Sequence, residues 1–381
     1  MDFNLTEEQR LYRDEVIRFA QRELGEGIVD RDVEGSFDAK AWQRCAEFGI
    51  QGLPVPKAYG GQDADPLTVM LAMEGLGYGC TDNGLLFSLN AQMWACEIPI
   101  LRFGTDEQKE RYLPGLCDGS ILAAHGMSEP GSGSDAFALG TKAEQRGESY
   151  VLNGSKTFVT NAPVADVFVV FATVDKDMGV FGLTAFLLER GDAGLEVGEP
   201  IKKMGLRTSP MSELFFNDLE IPASRMLGKR GGGMALFNSA MEWERSCILA
   251  STVGSMERQL ERSVAYARER KQYGQPIGKF QAISHRIVEM KLRLETSRLL
   301  LYRLGWAMGE GKASALDSAL AKLHLSESYL TSSMDALQIH GGYGYMTEYE
   351  LEREVRDAFG SRLYSGTSDI QRNIAARILG L

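Results

Sequence analysis

The 381-residue chain has little positive charge and few histidines. Its 52 acidic residues outnumber its 41 lysines and arginines, which leaves a net charge of −11 at pH 7. This balance argues against a nucleic-acid partner and against binding to an anionic membrane surface, because both need a basic face. Its four histidines have no metal-ligand spacing, so we expect no metal.

Long apolar runs, a leader pattern and paired cysteines are also lacking. No stretch approaches the ~20 apolar residues that a membrane-spanning helix needs. The start, Met1-Asp-Phe-Asn-Leu-Thr6, has neither the basic region nor the apolar run of a signal peptide. The five cysteines are scattered without a C-x-x-C pair, which favours reduced thiols. We therefore expect a cytoplasmic protein without membrane segments.

What the chain does contain falls into three stretches of different texture. Residues 1–120 carry apolar residues at helical spacing, beginning with the capping box Thr6-x-x-Gln9. Residues 121–228 hold short β-rich runs, and Asn153-Gly154 between two of them predicts a hairpin turn. Residues 229–381 return to helical patterns. We predict an α+β fold with an N-terminal α-helical domain, a middle β-barrel or sandwich and a C-terminal α-helical domain, divided at these positions.

The helical patterns of the last stretch predict four long segments. They cover roughly 233–271, 280–310, 312–340 and 348–378. The glycine and proline near Tyr273 to Gly278 predict a loop between the first two segments.

One glutamate stands inside an apolar helical stripe. Phe237, Met241, Glu244 and Ile248 fall on one helical face, at i, i+4, i+7 and i+11. Burial disfavours the charged form of a carboxyl group and raises its pKa, which suits a general base near neutral pH. The alternative is a structural ion pair between Glu244 and a neighbouring arginine.

Two stretches in the β region have the composition of a cofactor site. The stretch 127–135 is dense in glycine and serine, which lets backbone N–H groups approach an anion, although a tight loop between domains has the same composition. Phe158 and Thr160 lie on one side of a predicted strand. This pair suits a flat heteroaromatic partner, and core packing explains Phe158 equally well.

Three further stretches lie in the helical region. Residues 268–281 combine basic side chains with Tyr273, which suits a pyrophosphate and a ring, whereas a solvated charge run is the ordinary alternative. Residues 338–344 form a glycine-rich break between helices. Gly366 and Thr367 predict a loop and an N-cap that open the last helix, whose N-terminus is suited to an anion.

Together these stretches resemble the acyl-CoA dehydrogenases. The motifs that carry the resemblance, in order, are Ser128-Glu-Pro-Gly-Ser-Gly-Ser-Asp135, Asn153-Gly-x-Lys156, Glu269-Arg-Lys-Gln-Tyr-Gly274, Gln338-x-x-Gly-Gly-x-Gly344 and Ser365-Gly-Thr-Ser-x-Ile-Gln371. The resemblance implies an N-terminal α domain, a middle β-barrel, a C-terminal four-helix bundle and bound FAD. It also implies a homotetramer built as a dimer of dimers.

The resemblance also implies which residues contact FAD. They are Met127, Ser128, Gly133, Ser134, Phe158, Thr160, Arg270, Gln272, Tyr273, Gln281, Gln338, Gly342, Thr367 and Asp369. Four of them, Arg270, Gln272, Tyr273 and Gln281, would reach the adenine half of FAD in a neighbouring subunit. Tyr273 stands where phenylalanine is commoner in the family, and Asp369 stands where many members have glutamine.

The position of the catalytic base separates this chain from most of the family. Most members carry the base in the C-terminal loop as Tyr-Glu-Gly-Thr, but here that loop reads Tyr364-Ser-Gly-Thr367. The isovaleryl-type branch places its base on a helix in a Glu-Arg pair, which Glu244-Arg245 matches. The resemblance therefore implies that Glu244 takes an α-proton from an acyl thioester while a β-hydride passes to flavin N5, leaving an α,β-enoyl thioester. The backbone N–H of Ser365 would hold the thioester carbonyl oxygen.

Other features are similar to family members of secondary-metabolite pathways that act on acyl groups, prolyl among them, bound to carrier proteins. These features include Trp243-Glu-Arg245 and the stretch 161–166, whereas the stretches 203–213 and 347–352 are similar to ordinary short- or branched-chain members. The predicted substrate contacts are Trp94, Trp243, Arg245, Tyr364, Ser365 and Gly366. Plain helix packing also explains both tryptophans.

The resemblance implies an acyl thioester on a carrier protein or on CoA as the substrate, and an electron-transferring flavoprotein as the electron acceptor. Three alternatives remain open. They are a catabolic short- or branched-chain acyl-CoA dehydrogenase, a flavin oxidase of the same fold that acts on a hydroxy-acyl or nitroalkane-like substrate, and a non-catalytic acyl-binding scaffold.

Overall fold

The computed structural model describes residues 5–381, and the first third of this range is helical. The helices are α1 (Glu7–Glu23), α2 (Ile28–Glu34), α3 (Ala39–Phe48), α4 (Pro66–Gly79), α5 (Asn83–Gln92), α6 (Ile98–Phe103) and α7 (Asp106–Asp118). The capping box predicted at Thr6 and Gln9 is confirmed at the start of α1. A π-helical turn, Met93–Glu97, joins α5 to α6.

The middle of the chain forms one eight-stranded mixed sheet. Its strands are β1 (Ala123–Gly126), β2 (Lys142–Arg146), β3 (Ser149–Thr160), β4 (Val167–Thr173), β5 (Leu183–Glu189), β6 (Leu195–Val197), β7 (Met211–Pro222) and β8 (Met226–Leu227). The strand order is β6-β7-β3-β2-β4-β5-β8, and β1 pairs in parallel with β4. A single residue pair, Lys142 with Thr173, joins β2 to β4. The two halves of the sheet face each other, since the rings of Tyr150 on β3 and Phe186 on β5 lie 5.1 Å apart.

Strand β4 is buried along its whole length. Val167, Val169 and Phe171 pack into the apolar cluster that also contains residues of α7 and α8. Phe168 and Val170, on the opposite face, pack into the larger cluster that fills the rest of the molecule. Because both faces are covered, the strand is a continuous apolar run rather than an alternating one.

The hairpin predicted at Asn153-Gly154 is wrong. Strand β3 continues through both residues without a chain reversal, and the turn lies at Gly147-Glu148 instead. Asn153 uses its side-chain amide to bond Asp218 on β7, with an Nδ2–Oδ1 distance of 3.0 Å. Gly154 lies at a register shift with a φ of 145°, where an added Cβ would meet Thr141 Cα at 2.7 Å. The glycine therefore permits a close approach of strands rather than a chain reversal.

The last third is again helical. Its helices are α8 (Gly233–Cys247), α9 (Ala250–Glu269), α10 (Gln281–Gly309), α11 (Ala315–His340), α12 (Leu351–Gly360) and α13 (Ser368–Ile378). The segments predicted at 280–310 and 312–340 are confirmed as α10 and α11. A short hairpin, β9 (Lys271–Gln272) and β10 (Gln275–Pro276), occupies the predicted loop between α9 and α10.

Two of the four predicted helical segments are wrong because each is interrupted. The first breaks at Ile248–Leu249, where Leu249 leaves the helical conformation while both side chains stay buried. The last breaks between α12 and α13, where Ser365 and Gly366 adopt positive φ. Both breaks keep an apolar pattern, so spacing alone does not reveal them. The domain limits at 120/121 and 228/229 stay a prediction and fall between α7 and β1 and between β8 and α8.

Helix α4 of the first third packs directly on α9 of the last third. Two glycines make this crossing close. A Cβ on Gly77 would lie 1.7 Å from the Ser251 carbonyl oxygen, and one on Gly254 would lie 2.0 Å from that of Glu74. The buried Glu74 carboxylate also accepts hydrogen bonds from Arg298 and Tyr302 of α10. The first and last thirds are thus packed as one unit.

None of the helices in residues 5–381 is long and apolar enough to cross a membrane. The same residues contain no group of three or more His, Cys, Asp and Glu side chains arranged to hold a metal ion.

Gly254→Ala should destabilise the protein by about 1–3 kcal/mol, because the backbones of α4 and α9 must separate to admit the methyl group. This loss outweighs the helix-propensity gain of about 1 kcal/mol. The control is Gly309→Ala in α10, where the nearest atom to the added Cβ is 3.9 Å away. Thermal unfolding should show a lower midpoint for Gly254→Ala alone. Equal midpoints would mean that α4 and α9 do not depend on this contact.

Candidate active site

Three of the four residues of the predicted stripe are buried, and Phe237 is partly buried. Met241 and Ile248 are almost fully covered, and Glu244 is only 9% exposed. Phe237, two turns before Glu244, packs edge-on against Phe137 and Phe171. The Glu244 carboxylate therefore lies in an apolar setting at the C-terminal end of α8.

Glu244 has no counterion in direct contact. No lysine or arginine nitrogen of residues 5–381 lies within 4.0 Å of its carboxylate, so the predicted alternative of a neighbouring ion pair is not observed in the chain. Ser365 Oγ donates a hydrogen bond to Glu244 Oε1 at 2.5 Å. Burial raises the pKa of the Glu244 carboxyl, while the Ser365 hydroxyl, Arg245 and Lys322 partly oppose that rise. The group is thus poised as a proton acceptor.

The loop that carries Ser365 is held from three sides. Ser365 and Gly366 have φ of 57° and 85°, and Thr367 then caps α13 by accepting a hydrogen bond from the Ile370 N–H. Lys322 Nζ of α11 donates to the Gly366 carbonyl at 2.8 Å. Gln371 Nε2 donates to the same carbonyl at 2.9 Å. Asp369, by contrast, is exposed and pairs with Arg372.

Aromatic side chains pack beside Glu244. The rings of Trp94, on the π-helical turn, and Trp243 lie 6.1 Å apart and nearly parallel. Trp94 is fully buried and donates from Nε1 to Asn90 Oδ1 at 2.6 Å. Tyr364 packs on Phe87 of α5 with the ring centroids 4.6 Å apart. Trp243 adjoins Glu244 in the chain and Tyr364 adjoins Ser365, and whether these aromatic residues touch substrate stays a prediction.

The glycine- and serine-rich loop follows β1 and leads into no helix. The Ser128 carbonyl accepts a hydrogen bond from the Thr157 N–H at 2.9 Å, which holds the loop beside the end of β3. Thus Met127, Ser128, Phe158 and Thr160 lie in one region. Phe158 has a φ of 55° at a register shift and is 65% exposed, so it is not a core residue.

A buried ion pair supports this loop from below. Lys156 Nζ lies 2.7 Å from Glu129 Oε1 and 3.2 Å from the Met127 carbonyl oxygen. Glu129 also accepts hydrogen bonds from the Gly140 and Thr141 N–H groups. Burial alone would raise the pKa of Glu129, but the hydrogen bonds from Lys156 and Thr141 hold that pKa below its ordinary value. Gly133 and Ser134, at the loop tip, are exposed and free to meet a ligand.

A second candidate region lies at the far end of the helical part. A cavity of about 670 Å³ is lined by residues that include Arg270, Gln272, Tyr273 and Gly342. Tyr273, which lines this cavity, is 94% exposed. Gln281 and Gln338 are exposed at neighbouring positions, the start of α10 and the end of α11. No hydrogen bond within residues 5–381 connects this cavity with the loop at Met127–Ser134.

Sequence reasoning missed the residues that hold both loops in place. Lys322 and Gln371 donate hydrogen bonds to the C-terminal loop. Glu129 forms an ion pair with Lys156 beneath the glycine-rich loop. One signal was available, since Lys322 interrupts the apolar face of α11 and is fully buried. Its carbonyl partners, however, come from 39 and 44 residues further along the chain.

A helical region, a sheet region and a second helical region follow in this order, and a buried glutamate of α8 faces the C-terminal loop. This arrangement matches the flavin-dependent dehydrogenase class that the sequence resemblance implies. The chain belongs to the acyl-CoA dehydrogenase family. Models of the family's N-terminal, middle and C-terminal domains match residues 6–120, 124–219 and 231–380.

Three proteins of known name are similar to this chain over almost its whole length. The chain is 43% identical, over the full length of both proteins, to the L-prolyl-[peptidyl-carrier protein] dehydrogenase of Pseudomonas fluorescens. Its sequence is 49% identical to that of the prolyl acyl carrier protein oxidase AnaB. The crystal structure of AnaB superposes with a TM-score of 0.98, and the match covers 99% of this chain and 100% of that one. The chain is 42% identical to PigA with FAD and proline, with a TM-score of 0.98 and full coverage of both chains.

Lys156→Met should destabilise the protein by about 3–5 kcal/mol, because it leaves Glu129 buried without its cation. The glycine-rich loop should loosen, so the purified variant should also lose bound flavin. Lys142→Met, an exposed lysine on β2, is the control. Differential scanning calorimetry and the flavin absorbance per chain measure both effects, and Glu129→Gln added to Lys156→Met should recover part of the loss. A variant as stable and as yellow as Lys142→Met would contradict this role.

Proposed function

We propose that this protein oxidises a small acyl thioester to the α,β-enoyl thioester with FAD as its cofactor, in secondary-metabolite biosynthesis. The observation that carries the proposal is the buried Glu244 carboxylate, which has no counterion and lies against the Ser365 loop. This is the base position of the isovaleryl-type branch. In the reaction the α-carbon loses a proton to Glu244 and the β-carbon loses a hydride.

The residues of this chain prepare that step. Burial keeps Glu244 a stronger base than an exposed carboxylate, and the left-handed backbone at Ser365 presents the loop N–H groups to a thioester carbonyl. Trp94 and Trp243 stack with their ring centroids 6.1 Å apart, and we propose that this pair favours a small or cyclic acyl group. FAD, when bound, accepts the hydride.

The residues present fit FAD. The loop at Met127–Ser134 offers glycine N–H groups and hydroxyls, and the exposed Phe158 offers an aromatic surface beside it. The cavity around Arg270 offers a guanidinium and rings suited to a nucleotide. The family resemblance implies that Arg270, Gln272, Tyr273 and Gln281 reach the FAD of a neighbouring subunit, and we propose that the second region completes the site of a neighbouring copy.

We further propose a homotetramer, built as a dimer of dimers. Val288, Leu292, Leu299 and Trp306 are exposed along one face of α10. Large apolar side chains repeated along one helix face are typical of a subunit interface. A second copy packed on α10 would bring its own helical region close to the exposed cavity.

The similarity to prolyl carrier-protein enzymes supports a carrier-bound substrate, with prolyl as the first acyl group to try. The relatives differ in the electron acceptor that their names imply, because one is called a dehydrogenase and another an oxidase. We propose an electron-transferring flavoprotein as the acceptor. Direct reaction with oxygen is the second candidate, and it is favoured by the likeness to AnaB.

Glu244→Gln should keep bound FAD but slow flavin reduction by about two to four orders of magnitude, the usual contribution of a general base. In the unmodified protein, the rate should rise with pH through a pKa above the ordinary range of a glutamate, because burial raises the pKa of Glu244 and only the ionised form accepts a proton. Stopped-flow absorbance measures both. Glu261→Gln, an exposed glutamate on α9, is the control. Near-normal reduction by Glu244→Gln would disprove the assignment.

Anaerobic flavin bleaching should distinguish the substrates. Prolyl and other small acyl groups on a carrier protein should bleach the flavin, whereas the matching CoA esters should bleach it slowly or not at all. Bleaching by CoA esters alone would instead place the protein among the catabolic short- or branched-chain enzymes. Admitting air after bleaching then tests the acceptor, since rapid reoxidation with hydrogen peroxide release indicates an oxidase.

A further inference from the structure

Ser365 is the one residue within residues 5–381 whose side chain hydrogen-bonds the Glu244 carboxylate. A hydrogen bond from a hydroxyl to a carboxylate is charge-assisted and belongs to the stronger class of hydrogen bonds. The contact engages Oε1 only, which leaves Oε2 for a substrate proton. The Ser365 hydroxyl therefore restricts the orientation of the Glu244 carboxylate.

The backbone at Ser365 is strained and is held in that state. A φ of 57° is uncommon for a residue other than glycine, and it persists only where the surroundings enforce it. The Ser365 carbonyl accepts hydrogen bonds from Gln371 Nε2 at 3.1 Å and from Arg245 Nε at 3.3 Å. Lys322 Nζ donates to the Ser361 and Gly366 carbonyls at 2.9 and 2.8 Å. Lys322 and Gln371 are fully buried.

Titratable groups of α8, α11, the C-terminal loop and the π-helical turn lie near Glu244. Arg245 of α8 and Lys322 of α11 are cationic and favour its ionised form. Tyr364 of the loop and Cys96 of the π-helical turn are buried, which raises their own pKa and keeps both neutral near pH 7. Burial of Glu244 works against these cations and favours the protonated acid, which is inactive as a base. Of the groups that oppose burial, only Ser365 makes direct contact.

We propose that Ser365 is a positioning residue for the base: its hydroxyl aims the Glu244 carboxylate and keeps it ionised until the α-proton arrives. This inference rests on the proposed function. In the step, the α C–H electron pair moves into the thioester enolate while the proton goes to Glu244 Oε2. The Ser365 hydroxyl stays on Oε1 and weakens its bond as the negative charge is lost. Ser365 occupies the loop position where most members of the family carry the base. In this chain it orients the base Glu244 on α8.

The test compares Ser365→Ala with Ser368→Ala. Both remove one hydroxyl from the same short segment, but Ser368 Oγ is buried without a hydrogen-bond partner in residues 5–381. Ser365→Ala should keep its FAD and shift the acid limb of the pH profile for anaerobic flavin reduction upward by about one pH unit. The rates should converge at high pH. Ser365→Cys, with a similar shape and a weaker donor, should show a smaller shift, and Ser368→Ala should follow the unmodified protein.

A second readout needs no turnover. Infrared difference spectroscopy of the flavin-loaded protein without substrate follows the carboxyl band of Glu244, which Glu244→Gln identifies by its loss. Ser365→Ala should move the titration of that band to higher pH. An unchanged titration, or a loss of rate that is equal at every pH, overturns the proposal. If no thioester bleaches the unmodified protein, the proposed function fails, whereas the infrared titration still decides the role of Ser365.

Discussion

The burial of Glu244 without a counterion is the constraint on which the rest of the site depends. A carboxylate removed from water is costly unless hydrogen bonds and nearby charge offset the loss of solvation. Here a single hydroxyl provides the direct contact, and Arg245 and Lys322 act from further away. The surrounding fold must therefore hold one loop and one helix end in a fixed relation.

Packing of the helices supplies that relation. The close crossing of α4 and α9 at Gly77 and Gly254 joins the first third of the chain to the last. Helix α11 then anchors the C-terminal loop through Lys322, whose Nζ bonds two of its carbonyls. The π-helical turn at Trp94 reaches α8 from the other side, as such turns often do at functional sites. Each contact joins residues far apart in sequence.

Local signals in the sequence predicted much of this arrangement. The capping box at Thr6, the long helices α10 and α11 and the buried stripe around Glu244 all follow from spacing within a few residues. The errors arose where tertiary contact overrides a local pattern. Gly154 permits a close strand approach and makes no turn, and Ile248–Leu249 breaks a helix while staying apolar. The supports at Lys322 and Glu129 join distant segments, so no local pattern could pair them.

The isotope effect of an α-deuterated acyl thioester on anaerobic flavin reduction tests the central claim most directly, because it reports on the proton that Glu244 is proposed to take. The account predicts slower bleaching with the deuterated thioester than with the unlabelled one at a pH where Glu244 is ionised. It also predicts that Glu244→Gln, still loaded with FAD, bleaches with either thioester about two to four orders of magnitude more slowly than the unmodified protein. Equal rates for both isotopes with rapid bleaching of Glu244→Gln would show that another group, or no base at all, removes the proton.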